Sequence, residues 1–213
     1  MSKAWMDAAA DKYRRGRRLL FNRDSECLQE LLALIRRQKH RTLVLWALEG
    51  AQAIQRQLAH TYPAEERPRR AVELCRAWAE GTLKMPEAKR ALLDAHAAAK
   101  TALTSADEAL FHAVGQACAT VHVETHAIGL AIYELSALVF AWGPEAAEAP
   151  VEAKISCYID RLRFWEAQAD AQPRRWARFL LDDSQPNKEQ ILFEKQRRDA
   201  SNTTGPAAGC ISF

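Results

Sequence analysis

Residues 105–142 read SADEALFHAVGQACATVHVETHAIGLAIYELSALVFAW. Apolar side chains fall on nearly every turn, and runs of β-branched residues in strict alternation are absent, so the stretch predicts helix rather than strand. Ser105 followed by Glu108 resembles a capping box and opens it; Gly143-Pro144 breaks it. From Ala127 to Trp142 the only charge is Glu134. A helix this apolar belongs at the centre of a folded domain, and Glu134 interrupts it before the roughly 20 apolar residues of a membrane span are reached. No transmembrane segment is expected.

The flanking sequence is punctuated in the same style. A first helix is predicted from Lys3 to Phe21 with the basic run Arg14, Arg15, Arg17 and Arg18, and a second from Asp24 as N-cap to Gln38. A third runs from His40 to Tyr62, with Leu43, Trp46, Ala47, Ile54 and Leu58 at helical spacing, and Pro63 ends it. Pro68 suits the first turn of a fourth, whose stripe is Ala71, Leu74, Cys75 and Trp78 and whose stop is Gly81. An alanine-rich fifth spans Pro86 to Ala102, and a last long segment spans Pro150 to Leu181, kinked or split at Pro173. Past Ser184 the pattern weakens, and Ala200 to Gly209 is small, polar and turn-prone.

The expected fold is therefore all-α, a single-domain helical bundle of about seven to nine helices. Residues 1–39 read as a helical extension packed on the core, 40–183 as the core, and 184–213 as a partly disordered tail. With 213 residues, 48% hydrophobic and 27% charged, the chain has globular values and length enough for one sizeable core. The amphipathic start carries Asp7 and Asp11, unlike a secretory signal. Cys27, Cys75, Cys118, Cys157 and Cys210 are odd in number, scattered, and without a CxxC pair, which fits reduced thiols in a cytoplasm. The net charge of +3 hides an asymmetry, since residues 1–70 hold 15 Lys and Arg against 8 acids. Two halves that attract each other explain it most simply.

Three features bear on chemistry. His122 and His126, four residues apart, share one helix face, and His112 joins their stripe if the helix is continuous. Buried histidines bonded to neighbouring helices are the plainer reading; a metal site or general-base cluster of His112, His122 and His126 is the alternative. The string His-Val-Glu-Thr-His lacks the metalloprotease order, in which glutamate directly follows the first histidine.

The second feature is Glu65-Glu66-Arg67-Pro68-Arg69-Arg70. Cations at a helix N-terminus oppose the macrodipole, so Arg67, Arg69 and Arg70 call for compensating acids, which Glu65, Glu66 and Glu73 could supply, or for an anionic partner. These three arginines are the residues expected to contact a partner. The third is the Arg14 to Arg18 run, which lacks any recognition-helix, zinc or aromatic-platform signature, so nucleic acid is not the expected partner. Pro-Arg-Arg occurs at Pro68 and again at Pro173, each ahead of a tryptophan, a recurrence too short to build on. The terminal Cys-Ile-Ser-Phe only outlines a prenylation box. No phosphate-cradling loop, nucleophile elbow or catalytic carboxylate motif is present, and no motif implies a cofactor or an enzyme.

His-Arg-Thr-Leu-Val-Leu-Trp-Ala (40–47), Glu-Arg-Pro-Arg-Arg-Ala-Val-Glu-Leu-Cys-Arg-Ala-Trp-Ala-Glu-Gly (66–81), Glu-Ala-Lys-Arg-Ala (87–91), Ala-His-Ala-Ala-Ala (95–99) and Ala-Thr-Val-His-Val-Glu-Thr-His-Ala-Ile-Gly-Leu-Ala-Ile-Tyr (119–133) occur in that order. Together, over about residues 40–140, they resemble the immunity-protein-five-like family of bacterial immunity proteins tied to polymorphic toxin systems. The resemblance implies a non-catalytic binder that protects its producer or a sister cell by occupying a cognate toxin protein, with a helical surface capping the toxin's active cleft. Two readings of other classes stay open: a helical metal-dependent or small-ligand enzyme using the histidines, and a nucleic-acid binder using the basic first half.

Overall fold

Phe111, Val114 and Cys118 of one helix and Ile128, Leu130, Ala131 and Leu135 of the next are fully buried, and around this pair the rest of the chain is arranged. The computed structural model describes residues 3–171 and 173–203. Among them are nine α-helices and no strand: α1 (Ala4–Arg14), α2 (Gln29–Arg36), α3 (His40–Thr61), α4 (Arg67–Ala79), α5 (Met85–Ala98), α6 (Ser105–Ala119), α7 (Ala127–Trp142), α8 (Glu148–Gln168) and α9 (Lys188–Thr203). The fold is all-α, as the sequence predicts. α6 and α7 form the central hairpin, with α3, α4 and α5 against α6 and with α8 against α2, α3 and α7.

The apolar stretch 105–142 is thus two helices, not one. Thr120, Val121, Val123 and Thr125 crowd four β-branched residues into six positions, where loss of side-chain freedom disfavours helix. Val123 is extended, and a single 3-10 turn, Glu124–His126, leads into α7. The start of α6 also shifts by one residue. Thr104, rather than Ser105, is the N-cap, its Oγ1 accepting from the Asp107 N–H at 3.0 Å.

By length and composition the segment Glu124–Trp142 could cross a membrane, but more than half of it is buried inside the fold. The carboxylate of Glu134 accepts the Tyr158 hydroxyl proton and pairs with Lys154, which explains a charge inside so apolar a helix.

Two glycines close helices by the same device. At Gly81 (φ +72°) the Thr82 N–H reaches back to the Ala77 carbonyl at 2.9 Å, as anticipated for the end of α4. At Gly16 (φ +65°) the Arg17 N–H reaches the Lys12 carbonyl at 3.0 Å, so α1 ends at Arg14 instead of continuing to Phe21. Released from the helix, Leu20 and Phe21 enter the core, and the Leu20 N–H donates to Ser136 Oγ.

The C-terminal third departs further from expectation. α8 stops at Gln168, and the described residues between Asp170 and Asn187 are irregular apart from the 3-10 turn Arg178–Leu180. α9 then forms where the hydrophobic pattern had faded. Glu189, its side chain only 4% exposed, pairs with Arg23, while Asn187 donates from Nδ2 to the carbonyls of Ile35 and Gln38 at the end of α2. The stretch 204–213, with Cys210 and the terminal Cys-Ile-Ser-Phe, lies outside the described residues.

Candidate partner-binding surface and histidine cluster

The arginines at the head of α4 have local partners. Arg67 holds Glu65 through both carboxylate oxygens, with Nε 2.7 Å from Oε1, and its backbone N–H binds the same oxygen at 3.1 Å. That pairing keeps the Glu65 carboxyl below its ordinary range. Arg69 bonds Glu73 at 2.9 Å and Glu66 at 3.2 Å. Arg70 is exposed and, among the described residues, has no carboxylate partner. The unfavourable dipole at this terminus is therefore offset largely by the local glutamates.

Arg69, Glu73, Arg76 and Glu80 follow at spacings of four, three and four, so they form one exposed stripe along α4. The stripe leads to a concave pocket of about 440 Å³ lined by Glu49, Arg76, Trp165, Arg174, Arg175 and Trp176, among others. One wall comes from α8. Trp165 donates from Nε1 to Glu49 at 2.7 Å, and Arg161 holds the same carboxylate at 2.6 and 3.0 Å. The other wall is the loop after α8. Arg174 stacks over the Trp165 ring, 5.4 Å from its centre, and the Ala177 N–H bonds the Ala79 carbonyl at 2.7 Å. A Cβ on Gly81 would lie 3.3 Å from Ala177 Cα, so the glycine also lets this loop sit close on the end of α4.

The loop is closed chiefly by Arg41. Arg41, 9% exposed, reaches Asp170 from Nε (2.7 Å) and Nη2 (3.1 Å) and Asp183 from Nη1 (2.7 Å). Lys39 adds a bond to Asp170 at 2.7 Å. The Arg41 bonds first, then the Lys39 bond, hold the Asp170 carboxyl down to about 2. A compact loop with its ends held together is an Ω-loop, a form often used for recognition. Sequence reasoning passed over its contents. The only signal was the second Pro-Arg-Arg, directly ahead of Trp176.

The histidines are divided by the break between α6 and α7. His122 and His126 line a small apolar pocket of about 280 Å³ with His96, Trp78, Leu92 and Leu93. His112 lies across α6, lining a different pocket with Arg17, Arg18 and Tyr133. The single stripe imagined for His112, His122 and His126 does not form, because it required one continuous helix. His96, on α5, links the two sides, with its Nδ1 3.0 Å from His112 Nδ1, a role that no local sequence signal announces. His126 Nδ1 is 2.8 Å from Gln116 Oε1. Burial, then the nearby charges of His112 and His126, push His96 down to about 4; burial also lowers His112 and His126. Among the described residues, no three His, Cys, Asp or Glu side chains converge as a metal ion would require.

No curated protein and no solved structure matches the chain. A family model described as Imm-5 like putative immunity protein matches residues 33–161, extending the resembling region at both ends. The match takes in α3 to α7 whole, including the α4 stripe, and stops within α8, ahead of the Arg41-closed loop and α9. Over well more than half its length, this chain belongs to the Imm-5 like putative immunity protein family.

Proposed function

We propose that the protein neutralises a bacterial toxin by binding it, without catalysis, in the cytoplasm of the cell it protects. A helical face covers the toxin's active cleft and excludes its substrate. The observation that carries this reading is the α4 face within the family region, where Arg70 at the head has no carboxylate partner among the described residues and Arg69, Glu73, Arg76 and Glu80 follow in one exposed row. Arginine is favoured in such contacts because its planar fork pairs bidentately with carboxylates. In this reading Arg70 is the primary anchor, and Arg67 and Arg69 exchange their local glutamates for partner carboxylates.

The test is co-expression with the toxin domain encoded beside the gene. Survival with the wild-type chain, and its loss with Arg69→Glu/Arg70→Glu, is the expected result. The double reversal is expected to weaken binding by more than about 2 kcal/mol while shifting fold stability by only about 0.5 kcal/mol. A variant that protects fully would remove this face from the proposal.

A further inference from the structure

We propose that the Arg41-closed loop, in its described residues 173–183, is a preformed reader of partner identity that takes an acidic protein segment bearing an apolar side chain. The inference rests on the reading that the chain acts by binding another protein, and it adds where the partner docks and with what chemistry.

Among the described residues, the loop's arginines are left without carboxylates. Arg174, Arg175 and Arg178 are exposed and, among the described residues, have no carboxylate partner. The nearby acids, save Glu80 in the pocket wall, are engaged elsewhere. Asp170 and Asp183 bind Arg41 and Lys39, Asp182 accepts from Ser184, and Glu49 is shared by Arg161 and Trp165. Arg76 joins Arg174 and Arg175 in the pocket wall, with a 3.4 Å contact to Gln52. Apolar groups that could anchor a partner follow Arg178 directly in the chain. Phe179 is 41% exposed while stacked 5.3 Å from Trp78, and Leu181 is 56% exposed. Guanidinium beside aromatic surface is the composition typical of binding hot spots.

Rigidity follows from the closure. With Arg41 holding both ends and Ala177 bonded to α4, the loop loses little freedom when a partner arrives, which lowers the entropic cost of association. The loop lies beyond the family match, whereas the α4 stripe it adjoins lies within it. A family scaffold joined to a cationic loop beyond it can tell one partner from another by charge.

A nucleic acid fits less well. Strand binding asks for a track of cations and open aromatic faces, but here Glu49 and Glu80 stand in the pocket wall and Arg174 already covers Trp165.

The test uses the full chain and three probes: a 15-residue peptide of repeated Glu-Glu-Tyr-Asp-Leu, its counterpart with Lys for each acid, and a 15-nucleotide single strand of DNA. Binding is followed by the indole N–H resonances of Trp165 and Trp176 in NMR titrations. The acidic peptide is expected to shift both resonances saturably, at least about tenfold more tightly than either other probe, with Arg174→Glu/Arg175→Glu weakening it by about tenfold or more. Equal or tighter DNA binding, no saturable shift, or unchanged affinity in the double variant would each overturn the proposal. The assay contains no toxin, so peptide binding that persists alongside failed neutralisation would count against the immunity reading alone.

Discussion

Arg41 and Asp170, 129 positions apart in sequence, are joined by two parallel hydrogen bonds of 2.7 and 3.1 Å, and the third guanidinium nitrogen of Arg41 reaches Asp183 at 2.7 Å. One nearly buried cation thereby holds both ends of the segment that carries Arg174, Arg175, Trp176 and Phe179. Lysine keeps the charge but not the fork. Arg41→Lys is therefore expected to cost about 1–3 kcal/mol in urea unfolding. Amide exchange across 171–182 should quicken at the same time. Unchanged exchange in that segment would show that something other than Arg41 closes the loop.

The histidine cluster makes stability pH-dependent. An unfolded histidine titrates near 6.5, whereas His96 in the fold titrates at about 4. Between those values the unfolded chain takes up a proton that the folded chain refuses, so this stabilisation is full above about 6.5 and declines as pH falls toward 4. His40, His112 and His126 are lowered too and act in the same direction. The melting temperature should fall between pH 7.5 and 4.5, less steeply for His96→Asn. A melting temperature that rises on acidification would contradict the burial argument.

Gly115 is where His96 fits. A Cβ there would stand 2.4–2.6 Å from three atoms of the imidazole ring. In an ordinary helix interior, Gly→Ala stabilises by up to about 1 kcal/mol. Here Gly115→Ala is expected to destabilise by about 1–3 kcal/mol, because the ring must move and its bond to His112 is lost. A stabilised variant would mean that the α5–α6 contact is looser than this geometry.

At the other end of the molecule, Arg23→Ala would leave the buried Glu189 carboxylate unpaired. A loss of about 3–5 kcal/mol is expected, with α9 released. Truncation after Asp199 should change little, since residues 194–200 are exposed, whereas truncation after Asp183 should cost as much as the substitution. Equal melting temperatures for the two truncations would show that α9 contributes nothing to the fold.

Local chemistry made α3 and α4 legible. Pro63, Pro68 and Gly81 act on their own neighbours, and the acids that pair with Arg67 and Arg69 lie within the same few residues. The break after Ala119 was hidden because apolar periodicity continues through Val121 and Val123 while their β-branching works against helix. α9 escaped notice for the opposite reason. It docks through Glu189 and Asn187, polar groups whose partners lie more than 145 positions away in sequence. The loop pocket depends on Arg41 meeting Asp170 and Asp183, and nothing in a window of sequence announces a pair so distant.

The central claim is that this chain disarms a toxin by occupying it. The most direct measurement titrates the purified protein into the toxin domain encoded beside its gene, reading toxin activity and complex mass in the same samples. Activity is expected to fall linearly to zero at a fixed stoichiometric ratio, with a complex of matching mass and with inhibition lost in Arg69→Glu/Arg70→Glu. Toxin activity that persists at saturating protein, or inhibition with no complex formed, would contradict it.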